Sequence, residues 1–190
     1  MKKRLTKIVL AASLLSMPAL SMADDEYTSL FGIEGGYSAI DLDVNPSTDD
    51  IQTDGFGNVG LKIGAESEEY RVFLSARYYD AEDFTKFYTI GAEVQYKFNF
   101  AKKANFFIGA NIGKAFAEIA QKGATPSADI SSGYVGGDAG FNFHVTPMID
   151  FEIGARYMYF NEDFTQGTYT YEFNSLSTGY ASIIIRWKED

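Results

Sequence analysis

Thr89-Ile90-Gly91-Ala92-Glu93-Val94-Gln95-Tyr96-Lys97-Phe98 decides how this chain is read. Ile90, Ala92, Val94, Tyr96 and Phe98 alternate with Thr89, Gly91, Glu93, Gln95 and Lys97. Strict alternation places successive side chains on opposite faces of an extended strand. A helix would space its apolar residues three and four apart. One face of this stretch is apolar and ends in aromatics. The other is small, polar and charged with both signs.

The same period recurs along the chain. Apolar positions fall on Phe31, Ile33, Tyr37 and Ala39, then on Val59, Leu61, Ile63 and Ala65, then on Val72, Leu74, Ala76 and Tyr78. In the second half they fall on Phe106–Ile112, Val135–Val145, Ile149–Tyr159 and Ala181–Trp187, always every second residue. With the quoted stretch this makes eight segments, each about the 9–11 residues a tilted spanning strand requires.

Alternation alone also fits a soluble sheet with one wet face. The residue types separate the two cases. The less apolar face is rich in Gly, Ser, Asn and paired charges, which suits a narrow lumen. The apolar face suits lipid. Phe98, Phe106, Phe143, Phe151 and Trp187 gather at one set of strand ends, and Tyr37, Tyr78, Tyr88, Tyr157 and Tyr159 at the other. Two such girdles belong at the two membrane interfaces. Connections also alternate in length. Long ones are expected over Leu42–Phe56, Asp80–Phe87, Ala115–Ile130 and Asn161–Leu176, short ones over Ser67–Glu69, Asn99–Asn105 and Thr146–Pro147. Short periplasmic turns and long external loops are the rule for outer-membrane barrels. The expected fold is all-β: an eight-stranded antiparallel up-and-down transmembrane β-barrel in the outer membrane, with both ends in the periplasm.

Residues 1–23 read as a signal peptide. Lys2, Lys3, Arg4 and Lys7 precede the short apolar run Ile8–Leu15, and Ala19-Leu20-Ser21-Met22-Ala23 offers the small-x-small cleavage pattern. The barrel domain is then residues 24–190. Losing the leader's four bases leaves 12 basic against 26 acidic residues, a net of −14 over 167. Such a surface argues against a nucleic-acid partner. There is no cysteine, so disulfides, thiol catalysis and Cys-ligated metals are excluded.

The quoted stretch and Asp150-Phe151-Glu152-Ile153-Gly154-Ala155-Arg156-Tyr157 are in the style of the OmpA/OmpX-like small outer-membrane β-barrels, which the chain resembles over its whole mature length. The resemblance is specific for architecture and not for activity, since that family includes structural, adhesive and enzymatic members. Members usually end on an aromatic residue; here Trp187 is followed by Lys188-Glu189-Asp190. The peptidoglycan-binding domain of the longer relatives is not expected. Enzymatic members imply a catalytic His near the outer rim or the lipid side.

By parity, Glu34, Glu66, Glu93, Asp138, Asp150 and Glu152 point inward with Lys62, Arg71, Arg77, Lys97, Arg156 and Arg186, six against six. Eight strands leave an interior just wide enough for side chains. A salt-bridged plug is therefore expected, with a gated narrow ion pathway as the alternative. The single histidine, His144, lies beside the turn at Thr146-Pro147 and points inward, which argues against lipid-modifying catalysis at the outer surface. Asp49-Asp50-Ile51-Gln52-Thr53-Asp54-Gly55 looks like a calcium loop but lacks the third-position acid and the distant Glu, so it reads as a solvated acidic turn. Catalytic, metal and cofactor residues are expected to be absent. Asp41, Asp43, Asp49, Asp50, Asp54, Glu162, Asp163 and Glu172 make the long loops acidic. Thr168-Tyr169-Thr170-Tyr171-Glu172-Phe173 alternates, with Gln166-Gly167 at a hairpin tip. Its parity places Tyr169, Tyr171 and Phe173 outward, as a surface contact or an extension of the aromatic belt. The expected role is structural or adhesin-like, in a monomer whose partners are membrane lipid, lipopolysaccharide and an extracellular protein.

Overall fold

The computed structural model describes residues 27–45, 55–82, 84–119, 128–160, 163–166 and 169–188. Residues 1–23 and the acidic run Asp49–Asp54 lie outside them, as does Glu162. The described elements are strands: β1 Thr28–Asn45, β2 Phe56–Glu66, β3 Tyr70–Asp80, β4 Phe84–Ala101, β5 Ala104–Ile119, β6 Ala128–Thr146, β7 Ile149–Phe160, β8 Asp163–Gln166 and β9 Tyr169–Trp187. From β1 to β7 neighbours in sequence pair antiparallel, β7 pairs with β9, and β9 pairs back with β1. Eight strands thus close a ring, and among the described residues the short β8 pairs with β9 alone. The first and last strands meet with Ser29 opposite Trp187, so β1 begins and β9 ends at the same rim as the short connections.

The alternation in sequence becomes the two faces of the wall. Ile33, Leu61, Leu74, Ile90 and Ile183 are more than half exposed, while Glu34, Lys62, Arg77 and Glu93 are each 3% exposed or less. Such an arrangement would be inside-out in water. In a bilayer it leaves apolar side chains against lipid and satisfies every ladder hydrogen bond within the ring. The girdles align in register: Tyr78 lies opposite Tyr88 at one level, and Phe98 opposite Phe106 and Phe143 opposite Phe151 at the other.

The strands run much further than the lipid requires. β1 continues past Tyr37 to Asn45, β5 past Lys114 to Ile119, and β9 begins at Tyr169. Large parts of the expected long loops are therefore strand. The short connections fall where they were expected, 67–69 with the same bounds, 147–148 one residue on, and 102–103 much shorter than Asn99–Asn105 because β4 and β5 run further. Beyond the tyrosine girdle the polarity of the wall inverts. Ile40, Leu42, Phe84, Phe87, Ala115, Ala117, Ile130, Met158, Phe160 and Leu176 face in and are buried. Asp41, Asp43, Asp129 and Glu172 face out and are exposed. Water replaces lipid as the outer solvent at this height, so the apolar side chains move to the inside.

One expectation is overturned here. Tyr171 and Phe173 point inward, 0% and 3% exposed. Asp41 pairs with Ser175, but the next pair up is Leu42 with Phe173. Asn174 is the extra residue of a β-bulge, which shifts the parity of everything before it in β9. Tyr169 is in β9 opposite Gln166, and its side chain lies outside the described residues.

Candidate functional site: the lumen and the outer extension

The lumen is built in tiers. At the periplasmic end Arg71, fully buried, reaches three carboxylates: Nη2 donates to Glu66 Oε2 at 3.0 Å and to Asp150 Oδ2 at 3.3 Å, and Nη1 to Glu152 Oε2 at 3.0 Å. Lys97 Nζ donates to Glu66 Oε2 at 2.9 Å and to the Ser67 carbonyl at 2.8 Å. Arg186 Nη2 lies 2.6 Å from Glu66 Oε1, and its Nη1 3.4 Å from Asp150 Oδ1. These contacts join β2, β3, β4, β7 and β9.

In the middle tier Lys62 Nζ donates to Glu152 Oε1 at 2.6 Å and lies 3.8 Å from Glu34. Its ammonium stands 5.0 Å from the Phe73 ring centroid and 5.5 Å from that of Tyr180. Above it Glu34 accepts from Arg77 Nε at 2.9 Å and from Arg156 Nη1 and Nη2 at 2.8 and 3.0 Å. Glu93 accepts from Arg77 and from the Ser75 hydroxyl, and lies 3.7 Å from Arg156. Asp138 stands apart: one oxygen accepts from Gln95 Nε2 at 2.8 Å, and the other is buried without a hydrogen-bond partner among the described residues. Asp138 Oδ1 has room because Gly109 opposite it carries no side chain; a Cβ there would lie 2.8 Å from that oxygen.

His144 belongs to the lowest tier. Its Nδ1 lies 2.8 Å from Asp150 Oδ1 and 3.1 Å from Arg186 Nη1, and its Nε2 lies 3.3 Å from Asn105 Nδ2. It sits at the periplasmic mouth, on the side away from the outer surface.

A second barrier lies above the charges, and reading the sequence did not find it. Phe87 is fully buried and stacks on Tyr79 at 4.5 Å and on Phe84 at 5.2 Å. Phe173 meets Phe84, Phe87 and Phe160 edge-on at 6.4, 6.2 and 5.3 Å. Aromatic edges and faces in this geometry pack closely, and the buried cluster they anchor also takes in Tyr79, Tyr134 and Tyr171. A signal was present in β1, where the inward parity passes from Ser38 to Ile40 and Leu42 while Asp41 and Asp43 take the outward one.

The outer wall of this extension is acidic. Asp41, Asp43, Asp80, Glu82, Asp129 and Glu172 are exposed there, and among the described residues of this extension Lys86 and Lys114 are the exposed bases. Asn174 at the bulge donates its Nδ2 to Asp43 Oδ2 at 3.1 Å, tying β9 to β1 across this surface.

Residues 8–181 match the family described as an outer membrane protein beta-barrel domain. A comparison with curated proteins finds no match. Among solved structures, neisserial surface protein A is 19% identical, with a TM-score of 0.59, covering 86% of this chain and 97% of that one. The N-terminal β-barrel domain of Pseudomonas aeruginosa OprF is 12% identical, with a TM-score of 0.59, covering 86% and 98%. Outer membrane protein H (OprH) of P. aeruginosa is 17% identical, with a TM-score of 0.55, covering 84% and 99%. At these identities the likeness is one of fold. The closed eight-strand ring, its lipid-facing belt and the family match together place the chain in the outer membrane, as a member of the outer membrane protein β-barrel domain family.

Proposed function

We propose that this protein is a monomeric surface-contact protein of adhesin-like character, and neither a pore nor an enzyme. The observation that carries the reading is the double closure of the lumen. The ion-paired tiers from Arg71 to Glu93 fill the membrane-embedded part, and the Phe84–Phe87–Phe173 cluster fills the part above it. Buried charges held in this way are costly to separate, so they bolt the wall and do not line a route. What remains available to partners is the outside of the extension, where acids outnumber bases. That favours an extracellular protein with a basic surface, beside the lipid and lipopolysaccharide around the barrel. The non-enzymatic reading is supported by His144, which is held between Asp150 and Asn105 at the opposite end.

The test is display of the protein on cells, with attachment to extracellular-matrix and serum proteins measured for the native chain and for Asp41→Asn, Asp43→Asn, Asp129→Asn and Glu172→Gln combined. Attachment by the native chain that falls with the combined variant and with added salt supports the reading. Attachment no different from barrel-free cells overturns it.

A further inference from the structure

Between β4, β5 and β6 the lumen holds polar atoms that the ion-paired tiers do not absorb. Round the ring, the inward positions at one level are Glu93, Asn111 and Gly136, and just below them Gln95, Gly109 and Asp138. Gln95, Asn111 and Asp138 are 0%, 3% and 4% exposed. Among the described residues, Gln95 Oε1, both polar atoms of the Asn111 amide and Asp138 Oδ1 have no hydrogen-bond partner. Each buried polar atom left in this way costs stability, and several on neighbouring positions call for a ligand.

Two glycines make the room. Gly109 and Gly136 lie diagonally across the β5–β6 ladder. Asp138 leans over the first, where a Cβ would stand 2.8 Å from its Oδ1. Asn111 leans over the second, where a Cβ would stand 2.7 Å from its Oδ1. Each oxygen thus crosses toward the other's strand, on the same stretch of ladder. Gln95 reaches in from β4, and its Nε2 donates to Asp138 Oδ2 at 2.8 Å, which fixes the carboxylate in that pose.

The charges at this level do not cancel. Arg77 and Arg156 answer Glu34 and Glu93, and Lys62 answers Glu152. Asp138 lies opposite Arg156 in the β6–β7 ladder, but that guanidinium is turned to Glu34, and Asp138 is left with the neutral Gln95 amide. The lumen's sixth base, Arg186, is at the periplasmic mouth against Glu66 and Asp150, with 23% of its side chain exposed. One negative charge beside Asn111 is therefore unanswered. Buried charges persist when they are paired or coordinate a metal ion. Carboxylate and amide oxygens are the ligands that hard cations take. One unit of charge fits a monovalent ion, whereas a divalent ion would replace one imbalance with its opposite.

We propose that Asp138, Asn111 and Gln95 form a buried site for one alkali-metal cation of the sodium class, which fastens β4, β5 and β6 from within. The site is independent of the surface-contact reading, since it lies inside the wall.

The test has two parts. Crystals of the full barrel grown with thallium(I), a heavy monovalent probe, are expected to show anomalous density between Asp138 and Asn111, and crystals of Asp138→Asn to lack it. Urea unfolding in detergent is then compared in sodium chloride and in choline chloride at equal ionic strength. The native midpoint is expected to be higher in sodium, because an ion that binds only the folded barrel stabilises it. Asp138→Asn and Asn111→Ala are expected to lose that difference, and in choline Asp138→Asn is expected to be at least as stable as the native chain. Thallium on surface acids alone, equal native midpoints in the two salts, or calcium acting as sodium does overturns the proposal. So does an infrared stretch of a neutral carboxyl in sodium that disappears in Asp138→Asn, since a proton would then be what answers the charge.

Discussion

Leu42 lies opposite Phe173 in the β1–β9 ladder, one residue out of the register that Asp41 and Ser175 keep just below. That single step decides which way the top of β9 faces. With the bulge at Asn174, Tyr171 and Phe173 enter the core and Glu172 meets solvent. Single cysteines in this cysteine-free chain test it. Glu172→Cys on intact cells is expected to react with a membrane-impermeant maleimide, and Phe173→Cys to stay unlabelled. The reverse pattern would restore the outward aromatic face.

The ion-paired tiers make unequal demands on their members. Arg71 holds three carboxylates together, so Arg71→Ala strands buried charge. It is expected to cost about 3–5 kcal/mol in urea unfolding of the barrel in detergent. Asp138 accepts from Gln95 and leaves its other oxygen unpartnered, so Asp138→Asn is expected to be near neutral or stabilising. Equal losses for the two variants would mean that this ion pairing does not set the stability.

The aromatic cluster predicts a different loss. Phe87→Ala empties the centre of the upper core and is expected to cost about 3–5 kcal/mol, as large aromatic truncations in packed interiors do. Ile90→Ala, three residues on but facing lipid, is expected to cost far less in the same measurement, because no packed interior collapses around it. Comparable costs would argue that the region above the girdle is loosely packed.

The sequence made the membrane-embedded half legible because one rule holds from rim to rim there: period two, apolar out, charges in. Glu34, Lys62, Arg71, Arg77, Glu93, Lys97, Glu152, Arg156 and Arg186 all follow from that parity, and ion pairs join them in the folded chain. Partner choice did not follow from parity. Asp138 and Arg156 are opposite in the ladder, yet Arg156 turns to Glu34 and Glu93. Above the girdle the rule reverses, since water lies on the outside. A bulge then shifts β9, and a second register shift between Phe84 and Lys86 lets Phe84 and Phe87 both face inward. Reading the same polarity upward through those points turned buried aromatics into an outer belt and strands into loops.

Planar-bilayer conductance of the purified, refolded barrel tests the double closure most directly. A baseline indistinguishable from lipid is expected for the native chain, and for Arg77→Ala or Phe87→Ala alone, because each leaves the other barrier in place. Steady single-channel openings of the native barrel, abolished or altered by those substitutions, would contradict it.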